Sequence, residues 1–386
     1  MEKEEPRLIL NRSAPLLEEI LIFEIFSRLN VKTLHRFRQV SKFCHSLTSN
    51  PEFFTAFRRR SRRRFLLSFS SSLNWRCVFH SLTPGVRGLH VPEIVDCFTN
   101  AAYCNYTRCI NGVRCFVRGD SVVVCNLATD EELILPPLGR DSERDRHCFF
   151  FCYDPETHKY KVLRPVSTRI HNPMNGRVHL LATHYSIFTV GVDISWRGFH
   201  RPAGLYQLGK SKSVCVNGVL FCTNFSVTDS VKDGVIAAFD VGSENFDTVA
   251  YPDGLSSSRH SSCHLIEAKG SVGIVELESC VIRLWIKEKG FVSGSWSEHR
   301  IEFPSQWRSD ISLSYNFSFS SNGDGEMIMG SSRMSTPGCW IFRYDIETGK
   351  WRRIEVVGLE KHIVFGDFHV EEYVETPLLI RDILRA

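Results

Sequence analysis

The period of apolar and polar positions changes near residue 64. Before it the pattern is helical: in "LEEILIFEIFSRL", Leu17 to Leu29, eight of thirteen residues are apolar. At a 3.6-residue period Leu17, Leu21, Ile22, Ile25, Phe26 and Leu29 fill about half the wheel, with Ile20 and Phe23 outside it. The segments "VKTLHRF" and "SKFCHSL" predict two short helices that cover one face. A domain of about sixty residues cannot cover a helix that is apolar nearly all round, so a second partner is predicted. Each Leu, Ile or Phe left in water forgoes about 1.5–3 kcal/mol, which favours a helix held in a groove. The alternative cover is the chain's own larger domain.

After residue 65 the pattern predicts strands. "VVVCNLATDEELIL", "FFFCYDPETHKYKVL", "IAAFDVGSENFDTVAY" and "WIFRYDIETGKWRRI" share one grammar: β-formers, Asp or Asn, Thr or Ser three residues on, then a returning strand. Asn126, Asp154, Asp240 and Asp345 are expected to accept from turn amides, with Thr129, Thr157, Ser243 and Thr348 adding a second local bond. Tyr160, Phe246 and Trp351 then reach the core from the returning strand, and Glu132 breaks that rule. "YSIFTVGVDISWRGF" and "VIRLWIKEKGFVSGSWSEHRIEF" predict two more hairpins. Asn111–Gly112 and Asn217–Gly218 are tight-turn dipeptides before related strands. Recurrent hairpins with irregular spacers predict a mainly antiparallel, β-propeller-like all-β domain, with a β-sandwich as the alternative.

Composition narrows the function. The 386 residues are 43% apolar, no apolar run reaches membrane-spanning length, and the N-terminus opens with charges, so neither a membrane span nor secretion is expected. Fourteen scattered cysteines without CxxC pairs read as reduced thiols. Residues 1–64 carry 14 Lys or Arg against 7 Asp or Glu, much of the excess being Arg58 to Arg64. With no interleaved aromatics to stack bases, that run reads as a solvated linker ahead of a nuclear address or nucleic-acid contact.

Two motifs invite chemistry. Gly204, Gly209, Lys210 and Ser211 match GxxxxGK[ST], yet a Pro-containing loop precedes them and the strand-like "SVCVNGVLFC" follows where a phosphate loop needs a helix. His147, Cys148, Cys152 and His158 have metal-ligating side chains, but Cys152 sits in a β-like run. No hydrolase elbow, HExxH helix or dinucleotide fingerprint occurs, so no catalytic residue, cofactor or metal is assigned.

"LEEILIFEIFSRLNVKTLHRFRQVSKFCHSLTSNPEFF", through Leu17, Leu21, Glu24, Ile25, Arg28, Leu29, Val31, Leu34, Phe37, Val40, Pro51 and Phe53, resembles the F-box. The body, through "VVVCNLATDEELILPPL", "FCYDPETHKYKVL", "CVNGVLFC" and "FDVGSENFDTV", resembles the F-box-associated, kelch- or propeller-like domain of plant F-box families. The resemblance implies a small all-α F-box domain at 12–58, a basic connecting segment at 59–89 and a substrate-binding β domain at 90–386. It implies a non-catalytic substrate-recognition subunit of a Skp–cullin–F-box ubiquitin ligase; a propeller-like binding protein outside such a ligase is the alternative. The implied partners are a Skp-type adaptor, through it a cullin, and a target protein of unknown identity, with no nucleic acid or membrane. The implied location is cytoplasm or nucleus. Adaptor contacts fall on Leu17, Leu21, Ile22, Ile25, Phe26, Leu29, Val31 and Leu34.

Three positions depart from the F-box pattern. Glu18 and Asn30 replace prolines, and Asn30 should cap the helix it precedes. Cys44 replaces a Trp, a loss of core volume unless Phe43 repacks into the space. Loops such as "VSTRIHNPMNGRVHLLATH" and "DGLSSSRHSSCH" carry Arg and His that would favour acidic or phosphorylated partners.

Overall fold

The computed structural model describes residues 20–61, 63–71, 76–84, 90–98, 107–118, 121–137, 149–171, 178–199, 206–207, 212–226, 234–256, 263–288, 290, 294–309, 314–333, 339–356, 368–377 and 380–383. The chain opens with a π-helical turn, Ile20–Ile25, and a 3-10 turn, Phe26–Arg28. Helices α1 (Val31–Val40), α2 (Lys42–Thr48) and α3 (Pro51–Arg60) follow. Each begins on a polar side chain that accepts an orphan amide: Asn30 from Thr33 at 2.8 Å, Ser41 from Cys44 at 3.1 Å, and Asn50 from Glu52 at 2.9 Å. Phe26, Val31, Leu34, Leu47, Phe53, Ala56 and Phe57 close around one another as the core. Asn30 therefore does what a cap should, whereas Glu18 and Leu17 lie outside the described residues. Phe43 is 50% exposed and does not fill the space beside Cys44, whose own side chain sits at the core's edge.

The strands begin sooner than expected. Residues 59–89, expected as a connecting segment, contribute β1 (Arg63–Ser71) and β2 (Arg76–Pro84), which pair with each other and then with β3 (His90–Phe98). Next come β4 (Val113–Arg118), β5 (Ser121–Asn126) and β6 (Glu131–Ile134), with Ile110 bridging back to Val113. A second sheet holds β7 (Phe150–Asp154), β8 (Lys159–His171), β9 (Val178–Thr189) and β10 (Arg197–Phe199). A third holds β11 (Tyr206–Gln207), β12 (Ser213–Val216), β13 (Val219–Ser226), β14 (Gly234–Asp240) and β15 (Asn245–Ala250). A fourth holds β16 (His264–Ala268), β17 (Ser271–Glu278), β18 (Val281–Lys287) and β19 (Trp296–Glu302). The last strands are β20 (Ser314–Ser321), β21 (Glu326–Arg333), β22 (Cys339–Asp345), β23 (Trp351–Val356) and β24 (Phe368–Val374), before a final helical turn α4, Ile380–Ile383.

Among the described residues these strands form five sheets. The eight-stranded one joins two antiparallel halves, β20-β21-β22-β23 and β24-β1-β2-β3, through a single parallel pair, Val356 with His90. Apolar clusters lie between consecutive units all the way round. One cluster joins β1 and β24 to β4 and β5, another joins β4 and β5 to β7 and β8, and the series continues to β21 and β22 against β1 and β24. A sandwich has one inter-sheet core; this closed ring is a β-propeller. Because most strands are packed on both faces, runs such as β4 and β5 are buried almost continuously instead of alternating.

The expected hairpin grammar is present in detail. Asp154 accepts from Glu156 N at 3.0 Å and Thr157 Oγ1 at 2.6 Å; Asp240 from Ser243 N and Oγ; Asp345 from the amides of Glu347 and Thr348, both at 2.9 Å. Asn126 accepts from Ala128 N, but Thr129 adds no bond. Four residues after each of these acceptors, Asp130, His158, Glu244 and Gly349 all take positive φ, the turn back into the returning strand. Asn111–Gly112 and Asn217–Gly218 have positive φ at both positions, as type I′ turns require, and Lys269–Gly270 is a third such pair. Glu132, the exception to the aromatic rule, pairs instead with Arg118.

Candidate functional site

Two regions carry exposed or convergent side chains that the core does not explain. The first is the helical region. Its opening segment is not the regular helix predicted over Leu17–Leu29, because a π turn bonds i to i+5 and a 3-10 turn i to i+3, and the 3.6-residue wheel no longer sorts the faces. Of the residues expected to meet an adaptor, Phe26, Val31 and Leu34 are buried in the domain's own core, and Leu21 and Leu29 pack at its edge. Leu17 and the Ile22 side chain lie outside the described residues. Ile25 is 46% exposed. Sequence reasoning passed over Ile20, Phe37, Val40 and Phe43 as contacts, yet all four are exposed. Phe37 and Val40 stand three apart on α1, a spacing that puts them on one face. The Phe26 ring is 5.5 Å from that of Phe37, which brings the Ile25–Phe26 turn against α1.

The arginine run is not a solvated linker. Arg58 donates to Asn111 Oδ1 at 2.6 Å, Arg60 to Ser27 Oγ and Glu24, Arg63 to Glu372 and Asp324, and Arg64 pairs with Glu375 at 3.0 Å. Its first three members also end α3, where the helix dipole favours cations. The Arg58 bond, together with Arg38 Nη1 on the Pro377 carbonyl and Ala128 of the β5–β6 turn at the edge of the helical core, seats the helical region on one end of the propeller. That end carries the Asn111–Gly112 turn and the junction of β1 with β24.

The second region is the propeller axis. Arg108, beside β24, reaches the carbonyls of Leu265 on β16 at 2.8 Å and Phe319 on β20 at 3.0 Å. Next to it Arg114 forms a buried ion pair with Glu371 and donates to Ser68 Oγ at 3.1 Å. Lys212 donates to the Cys263 carbonyl at 2.9 Å and lies 3.3 Å from His264 Nε2. Burial, reinforced by Lys212 and Arg108, holds the His264 imidazole well below its usual range, and burial with Arg108, Arg114 and His264 does the same to His369.

Neither chemical motif is assembled among the described residues. Gly204, Gly209, Lys210 and Ser211 lie outside the described residues, but β12 follows them at Ser213, where a phosphate loop would start a helix. His147 and Cys148 also lie outside; Cys152 is buried, and His158 bonds to the Tyr153 hydroxyl at 2.8 Å. No group of three or more metal-ligating side chains occurs among the described residues. Burial pushes the thiols of Cys215 and Cys263 up to about 11 and that of Cys109 up to about 12, the wrong direction for a nucleophile. No described helix is long and apolar enough to cross a membrane.

Residues 16–56 match the family model of the F-box domain, and residues 60–376 match that of the F-box associated beta propeller domain. Three F-box proteins of Arabidopsis thaliana are similar throughout. One is 26% identical across 94% of this chain and 92% of its own length, another 26% across 91% and 88%, and a third 31% across 88% and 85%. Among solved structures, apo AztD from Citrobacter koseri aligns over 81% of this chain and 98% of its own at 11% identity, with a TM-score of 0.38 that bears on neither fold nor function.

Proposed function

Since this chain belongs to the family of F-box proteins that carry an F-box-associated β-propeller, we propose that it is the substrate-recognition subunit of a Skp–cullin–F-box ubiquitin ligase. The observation that carries this reading is the set of exposed apolar side chains, Ile20, Ile25, Phe37, Val40 and Phe43, on a helical domain whose own core is already closed. A soluble surface gains from covering such side chains, and a Skp-type adaptor is the partner that an F-box implies. Through the adaptor the chain would meet a cullin, in cytoplasm or nucleus.

In this reading the propeller end opposite the helical region holds the target protein. This chain then contributes no covalent chemistry: it shortens the search by holding the target near the transfer machinery. Residues 12–58 serve the adaptor, and the propeller serves the target.

Co-purification with a Skp-type adaptor tests the reading. Ile25→Asp and Val40→Asp should abolish capture while leaving the melting temperature nearly unchanged. Full capture by both variants would refute the assigned face, and no capture by the unmodified chain would favour a propeller that works outside a ligase.

A further inference from the structure

We infer that the propeller axis is a binding site for an oxyanion, a phosphate or carboxylate group entering from the end opposite the helical region. The ring order places the segment around Arg108, which leads into β4, next to β24, with Cys109 N donating to Glu371 at 3.0 Å. Going round the ring, β20 and β16 come next after β24. Arg108 nonetheless bonds to carbonyls on β16 and β20, so its side chain crosses the middle of the ring.

Both carbonyls are met by one nitrogen, Nη2, and the guanidinium forms no other hydrogen bond among the described residues, which leaves Nη1 and Nε for a ligand. The nearby carboxylate is already engaged: Glu371 meets Arg114 through Oε1 and the Cys109 amide through Oε2. Arg108, His264, Lys212 and His369 are half-buried, beside β4, at the start of β16, before β12 and on β24. Arg108, so placed and with the nearby Glu371 carboxylate bonded to Arg114 and the Cys109 amide, attracts an anion, because the surroundings screen it poorly.

The approach has a direction. Lys212 precedes β12, His264 opens β16, and His369 is the second residue of β24. The far ends of those strands are the Asn217–Gly218 turn, the Lys269–Gly270 turn and Val374 beside Arg63, on the side where Arg58 seats the helical region. An anion entering from the end opposite the helical region would therefore meet Lys212 and the two imidazoles first and Arg108 further in. The inference is independent of the adaptor, since no adaptor-facing residue takes part.

The probe is sodium tripolyphosphate, titrated calorimetrically into the full-length protein. Saturable one-to-one binding is expected, weakened roughly tenfold or more by Arg108→Gln and by Lys212→Met. Arg108→Lys, which keeps the charge, should retain more affinity than Arg108→Gln. If Arg108→Gln does not fold, Lys212→Met and Arg108→Lys decide. A phosphoserine peptide that competes with tripolyphosphate would assign the oxyanion to a bound protein segment; a peptide that does not compete would assign it to a free anion. No saturable heat, or affinity unchanged in Lys212→Met and every Arg108 variant that folds, overturns the site.

Discussion

Arg38, on the buried face of α1, donates from Nη1 to the carbonyl of Pro377 at 3.3 Å and from Nη2 to Ser49 Oγ at 2.8 Å. One side chain thus ties the helical region to the segment that leaves the last propeller strand. Asn126 Nδ2 holds the same segment through the Thr376 carbonyl at 2.9 Å, and Ile380 N donates to Glu131.

Arg38→Met should therefore leave the Pro377 carbonyl without its donor and loosen the joint, at a cost of about 1–3 kcal/mol. The expected signature is faster amide exchange in both α1 and residues 376–383, read by hydrogen-exchange mass spectrometry. Change confined to α1 would mean that the joint is held elsewhere. Arg58→Ala, which removes an exposed bond to Asn111, should shift stability by less than about 1 kcal/mol.

Leu34 and Phe37 lie three residues apart on α1 but should behave oppositely. Leu34 is fully buried, so Leu34→Ala should destabilise the helical domain by about 2–5 kcal/mol. Phe37→Asp, which loses the contact with Phe26 but no fully buried side chain, should cost less stability than Leu34→Ala and remove adaptor capture. Equal loss of stability in both variants would place Phe37 in the core.

The buried pair of Arg114 and Glu371 allows a double-mutant test. Arg114→Met or Glu371→Leu alone leaves a buried partner uncompensated, at a cost of about 3–5 kcal/mol. Arg114→Met combined with Glu371→Leu should recover much of that loss, as measured by denaturant midpoints. Additive losses would show that the two do not act as a pair.

His264 and His369 predict a pH dependence. Burial lowers both pKa values in the fold, with Lys212 and Arg108 acting on the first and Arg108 and Arg114 on the second. Unfolded, each imidazole protonates near pH 6.5, so below that pH the unfolded state binds more protons. Stability should then fall as pH drops from about 6.5 towards the lowered folded values, by about 1.4 kcal/mol per pH unit for each imidazole. Urea titrations across that window should show a shallower slope in His264→Gln and His369→Gln; an unchanged slope would refute the assignment.

What was legible in the sequence was local. The acceptors Asp154, Asp240 and Asp345 bond within three residues, and Asn30 caps a helix three residues on, so residue type and spacing suffice. The exposed apolar side chains of the helical region were only partly legible, because a wheel assumes a regular helix and the opening turns are π and 3-10. Phe26 turns inward there, and beyond the wheel over Leu17–Leu29, on the regular helices, Val31 and Leu34 face the core while Phe37 and Phe43 are exposed. The arginine run misled because its acceptors, such as Asn111 and Glu372, are far away in the chain. Arg108 was invisible for the same reason: the carbonyls it meets lie 157 and 211 positions away, and a backbone carbonyl leaves no mark on sequence.

The pairing of β1 with β24 also orders events in time. Arg63 and Glu372 meet across that pairing although they stand 309 positions apart. A ribosome adding about 5–20 residues per second needs roughly 15–60 s to cover that interval. The helical region is complete before it begins. Each nascent chain thus has a finished handle well before it has a closed platform, and the first sheet of the ring must wait, one strand short, for the last strand to be made.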